Sequence, residues 1–428
     1  MRILWITHDI FDAFFPYVKG NPTKGRPWIA PLFYSIYKQD GVKLAVLTPV
    51  VDGKEQKCTI DDIIYYSVGI EKKGNVIPMN NKLANKYISA INDFRPDIIH
   101  VHGTEINFGL LRKYVNANIP IVCSVQGIIP PCFEYLKYSV ANIDINKYRS
   151  IKNRLGRGGV NQAFRKWKRY IPIEKEIYRL NQYFIGRTLW DKAYVAAFNP
   201  QARYFHGEEL LRDEFYNIDW NSESCERHRV FISSSEYALK GFHVLLKATS
   251  ILKQKYPDIK IVAPLSSVRP HFSIFLDYLI SEDYNNYLKK EIDRLGLQQN
   301  IIFQQRLSAA EMAAEFKKAH VFALPSFVEN SPNALGEAMI IGVPSVVTPV
   351  GGITSIVENE KSSLFFPSGD YVMMAHQIDR LFSDDKLAFT ISKNAKSIAG
   401  KRHNIVETTK QYMETYAAIL KSHKEQYN

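Results

Sequence analysis

The sequence predicts an α/β protein of two doubly wound domains that face each other across a cleft, followed by a helical tail. Three observations carry this. Short β-rich runs alternate with amphipathic helical segments along most of the chain, the pattern of parallel strands covered by helices on both faces. The alternation runs twice, once in each half, with a polar stretch between. A chain of 428 residues has room for two or three domains.

In the first half, Arg2–Thr7, Val42–Thr48, Asp97–Val101 and Ile119–Val125 read as strands, and Ala30–Tyr37 and Asn81–Phe94 as helices. The run Asn221-Ser-Glu-Ser-Cys-Glu226 is polar and unpatterned, which puts the expected boundary between domains 1–220 and 221–402. In the second half, Val230–Ser234, Ile259–Ala263, Ile301–Gln304, Val321–Leu324, Ser345–Thr348 and Leu364–Phe366 read as strands. Lys240–Gln254, Asp283–Leu295 and Ser308–Lys318 read as helices, the last opened by a capping box of Ser308 and Glu311. The tail, 403–428, reads as helical and is expected to pack back on the first domain.

Composition excludes several classes. Apolar residues make up 46% and charged residues 23%, which is ordinary for a globular protein and rules out a disordered, collagenous or fibrous chain. No stretch reaches the roughly 18 uninterrupted apolar residues of a membrane span. Met1-Arg2 runs straight into a core-like strand, so no secretory signal is expected and the expected location is cytoplasmic. The four cysteines show no C-x-x-C spacing, which argues against a disulfide framework or a zinc site. Neither a D-x-D sequence nor a G-x-x-x-x-G-K-[ST] loop occurs.

In doubly wound sheets ligands lie beyond the carboxyl ends of the strands, so the residues just after each strand are the ones that matter. The densest run follows Val321–Leu324: Pro325-Ser-Phe-Val-Glu329-Asn330-Ser331-Pro332-Asn333-Ala334-Leu335-Gly-Glu337-Ala-Met339. Ser331 is placed to cap a helix with Pro332 at its first position, and Gly342 to end it. The mouth of that helix offers amides and a positive dipole end to a phosphate. Glu329 and Glu337 flank it as acceptors for hydroxyls such as those of a sugar and a ribose. A lone glutamate pair is more often just an acidic helix start. Here it sits in a long fixed run that closes with Gly342-Val-Pro344 and Gly351-Gly352.

That run resembles the family-4 glycosyltransferases, whose GT-B architecture joins two Rossmann-like domains and whose C-terminal domain carries E-x7-E. The resemblance implies that Glu329 faces the donor sugar and Glu337 holds the ribose, while Asn330, Ser331, Asn333, Ala334 and Leu335 line the donor. It implies retention of anomeric configuration and a nucleotide diphosphate sugar as donor. The base pocket is expected near Phe303–Leu307, which does not decide uracil against guanine; a UDP-sugar is taken first. Without D-x-D the metal-dependent single-domain type lacks its usual ligand, so no metal or other cofactor is expected. Lys240-Gly241 matches the family's K-G, where the lysine meets the diphosphate as a point charge. Ser235 stands where the family has an arginine. Arg187 or Arg306 is the expected replacement for that cation.

Matches are thinner in the first half. Gly25 is the one glycine where the family has a glycine-rich loop facing the donor phosphates. Asp97-Ile-Ile-His-Val-His102 resembles the family's D-x-x-H-x-H strand end, which puts His102 among the catalytic candidates. The alternative for His100 is a packed or hydrogen-bonded core histidine. Gln126 stands where many relatives carry a histidine near the transferred sugar; it can bond a hydroxyl but cannot act as a base. The run Gly186-Arg187 to Leu210-Leu-Arg212 looks like a branch of the family found in bacterial surface-polysaccharide clusters.

Between Asp144 and Glu174 no acidic residue occurs, while nine basic ones do, among them Arg165, Lys166, Lys168 and Arg169 around Trp167. A basic and aromatic stretch suits an anionic membrane or a phosphorylated acceptor. It also suits RNA, which no nucleic-acid motif supports, or it is a solvated loop. The favoured reading is docking at the inner face of the membrane, with a glycan or polyprenyl-diphosphate-linked acceptor and no nucleic acid. The function expected is transfer of a hexose to a hydroxyl in capsule, exopolysaccharide or O-antigen synthesis. The rivals are another GT-B enzyme, a nucleotide-sugar 2-epimerase or a phosphorylase, and a non-catalytic basic lipid- or RNA-binding module.

Overall fold

The structure, a computed structural model, describes residues 1–18, 28–51, 53–70, 79–264, 279, 281–305 and 307–427. The chain divides into two compact units. One comprises Met1–Ile129, Lys168–Leu210 and His403–Asn428, and the other Pro130–Trp167 and Leu211–Arg402.

Among the described residues the first unit holds eight strands: β1 (Arg2–Ile6), β2 (Lys43–Val51), β3 (Gln56–Ile60), β4 (Ile63–Ile70), β5 (Ile98–His102), β6 (Ile121–Ser124), β7 (Tyr183–Gly186) and β8 (Arg203–His206). Their order is β3-β4-β2-β1-β5-β6-β7-β8. Every pairing is parallel except β3 with β4. That hairpin closes on Asp61-Asp62, both at positive φ (48° and 62°), as a two-residue loop joining twisted strands requires. Strand order reverses between β1 and β5, where the ligand-binding crevice of such a sheet forms.

One face of this sheet packs on the helices Ala30–Tyr37 and Ile405–Tyr427, through Trp5, Phe33, Ile36, Tyr412, Tyr416 and Ile419. The other face packs on Asn81–Phe94 through Tyr87, Ile91 and Phe94. The tail is therefore part of the first unit's core. Tyr416 lies 3.2 Å from Trp5 Nε1 and 2.7 Å from His100 Nδ1, and His100 Nε2 lies 2.6 Å from Ser124 Oγ. An indole N–H can only donate, so Tyr416 accepts from Trp5 and gives its own proton to His100. His100 then donates from Nε2 to Ser124. Burial pushes the His100 pKa down to about 3, so the ring stays neutral. His100 is thus the hydrogen-bonded core histidine of the two readings above.

Among the described residues the second unit holds six parallel strands: β9 (Arg229–Phe231), β10 (Lys260–Pro264), β11 (Ile301–Gln304), β12 (Val321–Leu324), β13 (Ser345–Val347) and β14 (Leu364–Phe365), in the order β11-β10-β9-β12-β13-β14. The reversal here falls between β9 and β12. The helix Ala309–Lys318 carries the predicted capping box, with Ser308 and Glu311 bonded reciprocally. β9 is shorter than Val230–Ser234, and the helix read from Lys240 begins at Phe242. Gly241 (φ +70°) separates it from a single 3-10 turn, Ala238–Lys240.

The division into units differs from a single boundary at residue 220. Residues 130–167 attach to the second unit by side-chain bonds that short-range patterning cannot show. Lys152 pairs with Glu282 at 2.6 Å, Asn286 donates to Tyr148 O at 2.9 Å, and the Asp283 carboxylate accepts from Val160 N at 3.1 Å. Residues 211–220 also belong there, with Trp220 Nε1 bonded to Ala319 O at 2.7 Å. The basic stretch is helical rather than a loop, running through Ile151–Arg154 and into Gly159–Leu180.

Tyr416→Phe strands the Trp5 N–H and the His100 acceptor in the core, and each unsatisfied group costs about 1–3 kcal/mol. The urea midpoint should fall by the equivalent of at least one such group at constant m-value; an unchanged midpoint would contradict the network.

Candidate functional site

The candidate site of the second unit lies beyond the ends of β9 and β12, where its strand order reverses. The segment after β12 is held there by hydrogen bonds to its backbone. Phe327 N donates to Leu239 O at 2.8 Å, Thr348 Oγ1 to Ser326 O at 2.5 Å, and Gly352 N to Glu329 O at 2.9 Å. Two glycines permit this approach. A Cβ on Gly241 would lie 1.9 Å from Pro325 O, and one on Gly351 2.0 Å from Glu329 O. Both residues also sit at positive φ (+70° and +55°). The glycines that mark the motifs are there to let two loops touch.

That contact brings Lys240 and Glu329 together, with Nζ 2.5 Å from Oε1. Ser326 Oγ donates to the same oxygen at 2.7 Å. The Glu329 side chain is 9% exposed and that of Lys240 31%, so the ammonium is open on one side. It carries three donors, which suits a second acceptor such as a phosphate oxygen.

The helix after the loop is Asn333–Ile341, closed by Gly342 at φ +94°. Its N-cap is Pro332, not Ser331: Pro332 is extended (ψ 118°), and the helix starts one residue later than the motif suggests. Ser331 Oγ instead accepts from Arg402 at 3.3 Å. Asn330 and Leu335 are buried, and Asn333 and Ala334 are half-buried at the helix mouth. Glu337, on the same helix, is buried and accepts from Arg212 at 2.8 Å. Burial pushes its pKa up, and the Arg212 guanidinium opposes that. Arg212 lies 125 residues from Glu337 in sequence, and no local pattern links it to the site.

Two of the residues expected near the donor, Ser235 and Arg187, have protein partners. Ser235 is fully buried and donates to Pro264 O at 2.9 Å, tying its loop to β10. Arg187 belongs to the first unit, where its buried guanidinium pairs with Glu209 at 2.6 Å and donates to Gln126 Oε1 at 2.8 Å. Within that unit its charge is paired with Glu209. Gly25 and Arg306 lie outside the described residues.

In the first unit, His102 ends β5 and Gln126 lies two residues beyond β6. Gln126 also donates to Glu209, at 2.9 Å, so both ends of its amide are bonded. His102 is buried against the rings of Trp5 and His100, 4.1 and 4.0 Å between centroids. Among the described residues neither of its ring nitrogens has a hydrogen-bond partner. Burial first, then His100 and His8, hold its pKa well below the usual histidine value. It is therefore a neutral imidazole at the carboxyl end of the sheet. Arg165, Lys166, Lys168 and Arg169 are exposed along their helix and Trp167 is half-buried.

Residues 216–398 match the family model of glycosyl transferases group 1. That stretch contains Lys240, Glu329 and Glu337. The chain is 28% identical to D-inositol 3-phosphate glycosyltransferase of Corynebacterium urealyticum over 181 residues, 42% of this chain and 41% of the relative. It is 26% identical to the capsular polysaccharide biosynthesis glycosyltransferase CapM of Staphylococcus aureus over 157 residues, 37% of each. The matches thus span less than half the length of these glycosyltransferases. Anabaena HepE, solved in complex with UDP-glucose, superposes with a TM-score of 0.65 over 98% of this chain and 100% of that one, at 16% identity. The fold is that of the GT-B glycosyltransferases.

Within the matched region, Gly241→Ala and Gly351→Ala should each lose more stability than Gly296→Ala. All three need positive φ, worth about 1–3 kcal/mol, but a Cβ at Gly296 meets nothing within 4 Å. Thermal unfolding of the three variants checks this, and equal losses would contradict the close approach.

Proposed function

We propose that the chain is a retaining, metal-independent glycosyltransferase of family 4. It moves a hexose from a nucleotide diphosphate sugar, a UDP-sugar first, to a hydroxyl of a glycan or polyprenyl-diphosphate-linked acceptor in capsule, exopolysaccharide or O-antigen synthesis. One observation carries this reading: Lys240 and Glu329 converge at the switch point of the second sheet, beside a helix mouth whose own face carries Glu337. The solved HepE complex with UDP-glucose and the name of the CapM relative support the donor and the pathway class.

In this reading the bond between the anomeric carbon and the diphosphate breaks while a bond to the acceptor oxygen forms on the same face. Negative charge builds on the leaving diphosphate. Lys240 and the amides at the start of Asn333–Ile341 are preorganised to meet it. The leaving phosphate oxygen takes the acceptor's proton, so no protein base is required. Glu329 accepts from a sugar hydroxyl and Glu337 from the ribose, each taking up part of the acceptor capacity now used by a cation.

The described residues include no helix long and apolar enough to cross a membrane. Docking at the inner membrane face through the exposed Arg165, Lys166, Lys168 and Arg169 is part of the proposal.

Glu329→Ala should reduce transfer by about two orders of magnitude or more with the fold intact. Glu337→Ala should chiefly raise the donor Kd. A thermal-shift screen over UDP-, GDP- and ADP-sugars followed by transfer assays reads both, and wild-type behaviour in both variants would remove the assignment. Turnover of a sugar nucleotide to its epimer without acceptor would favour the epimerase. A salt-dependent RNA shift with no sugar-nucleotide binding would favour the binding module.

Neutralising the four basic residues should abolish flotation with anionic liposomes, since each cation near such a surface contributes about 1 kcal/mol. Unchanged flotation would end the docking proposal.

A further inference from the structure

Beneath the loops that follow β5 and β6 lies a carboxyl group that the transfer chemistry does not use. Glu174, in the helix Gly159–Leu180, is fully buried. Its Oε1 accepts from Thr104 Oγ1 at 2.8 Å, and its Oε2 accepts from Ile129 N at 2.8 Å. Thr104 lies two residues beyond His102, and Ile129 three beyond Gln126. A single side chain therefore joins the two loops that follow the acceptor-side strand ends.

The hydroxyl of Thr104 has one proton and three oxygens within reach: Glu174 Oε1 at 2.8 Å, Gly127 O at 3.2 Å and Tyr178 Oη at 3.2 Å. An ionised carboxylate only accepts, so it claims that proton. A protonated Glu174 can donate to Thr104, which then passes its own proton to Gly127 O. The charge state of Glu174 thus decides whether the residue after Gln126 is tied to the β5 loop.

Among the described residues the titratable groups that face Glu174 are Glu105, Tyr170 and Tyr178. The Glu105 carboxylate packs over Gly103 and accepts from Gly127 N at 3.4 Å. Burial, more than the charge of Glu105, pushes the Glu174 pKa up to about 8, so near neutral pH it holds its proton. Burial also raises the Glu105 pKa.

We propose that Glu174 is a positioning residue that, through Thr104 and Gly127, sets the conformation of the loop bearing Gln126 and thereby acceptor binding. The acceptor part rests on the glycosyltransferase reading; the loop part does not. Accordingly the test has two readouts on the full chain.

The first is hydrogen exchange of the 125–129 segment, which needs no substrate. Wild type and Glu174→Gln should exchange alike at pH 6.5, because the amide mimics the protonated acid. At pH 9 wild type should exchange several-fold faster than Glu174→Gln. The second is the acceptor KM. It should rise several-fold in wild type as pH passes through 8, with a smaller change in kcat, and stay flat in Glu174→Gln.

Thr104→Val should raise KM at every pH and abolish the pH step, and Thr104→Ser should restore it. These two variants carry the test if Glu174→Gln does not fold. A Glu174→Gln chain that keeps the wild-type pH response in exchange, or a Thr104→Val chain that keeps the KM step, overturns the proposal. Absence of transfer by wild type, with the exchange difference present, overturns the functional reading and not the loop linkage.

Discussion

The second unit depends on two places where backbone touches backbone. At Gly241 the turn after β9 meets Pro325 O, and at Gly351 the turn after β13 meets Glu329 O. Sheet topology alone brings β9 and β12 side by side, but it leaves their loops free. The two contacts convert neighbouring strand ends into a fixed geometry, in which residues 89 apart in sequence lie 2.5 Å apart. Neither contact tolerates a side chain, so the glycines are a requirement of the site as much as of the fold.

The electrostatics follow from that geometry. Each carboxylate of the E-x7-E pair has its own cation, Lys240 for Glu329 and Arg212 for Glu337. Taking such charges out of water costs about as much as the pairing returns, so these pairs are weak contributors to stability. In the proposed function, their value is that they hold polar groups oriented and charge-balanced before a ligand arrives. A diphosphate sugar brings both anionic oxygens and hydroxyl donors, and so can engage the cation and the carboxylate of the same pair. Preorganised groups of this kind do not have to reorganise as charge develops.

Much of this was legible in the chain. Ala30–Tyr37 and Asn81–Phe94 fall where periodicity put them, because amphipathic helices on a parallel sheet write their buried face into short-range spacing. The run around Glu329 was legible because strand, loop and helix mouth are contiguous. What was not legible is long-range or conformational. The β3–β4 hairpin turns on Asp61-Asp62, which lacks the glycine that usually marks such a loop. The allegiance of 130–167 rests on Glu282 and Asp283, more than a hundred residues away. Arg187 looked like a free cation at a strand end, and only the fold shows Glu209 beside it. Glu174 carried no motif at all; its significance comes from burial and from the two loops it joins.

The most direct test of the central claim is a crystal structure of the chain with a bound UDP-sugar. The diphosphate is expected between Lys240 and the amides at the start of Asn333–Ile341, the sugar hydroxyls on Glu329 and the ribose on Glu337. A nucleotide bound elsewhere, with the Lys240–Glu329 and Arg212–Glu337 pairs undisturbed and untouched by ligand, would contradict it.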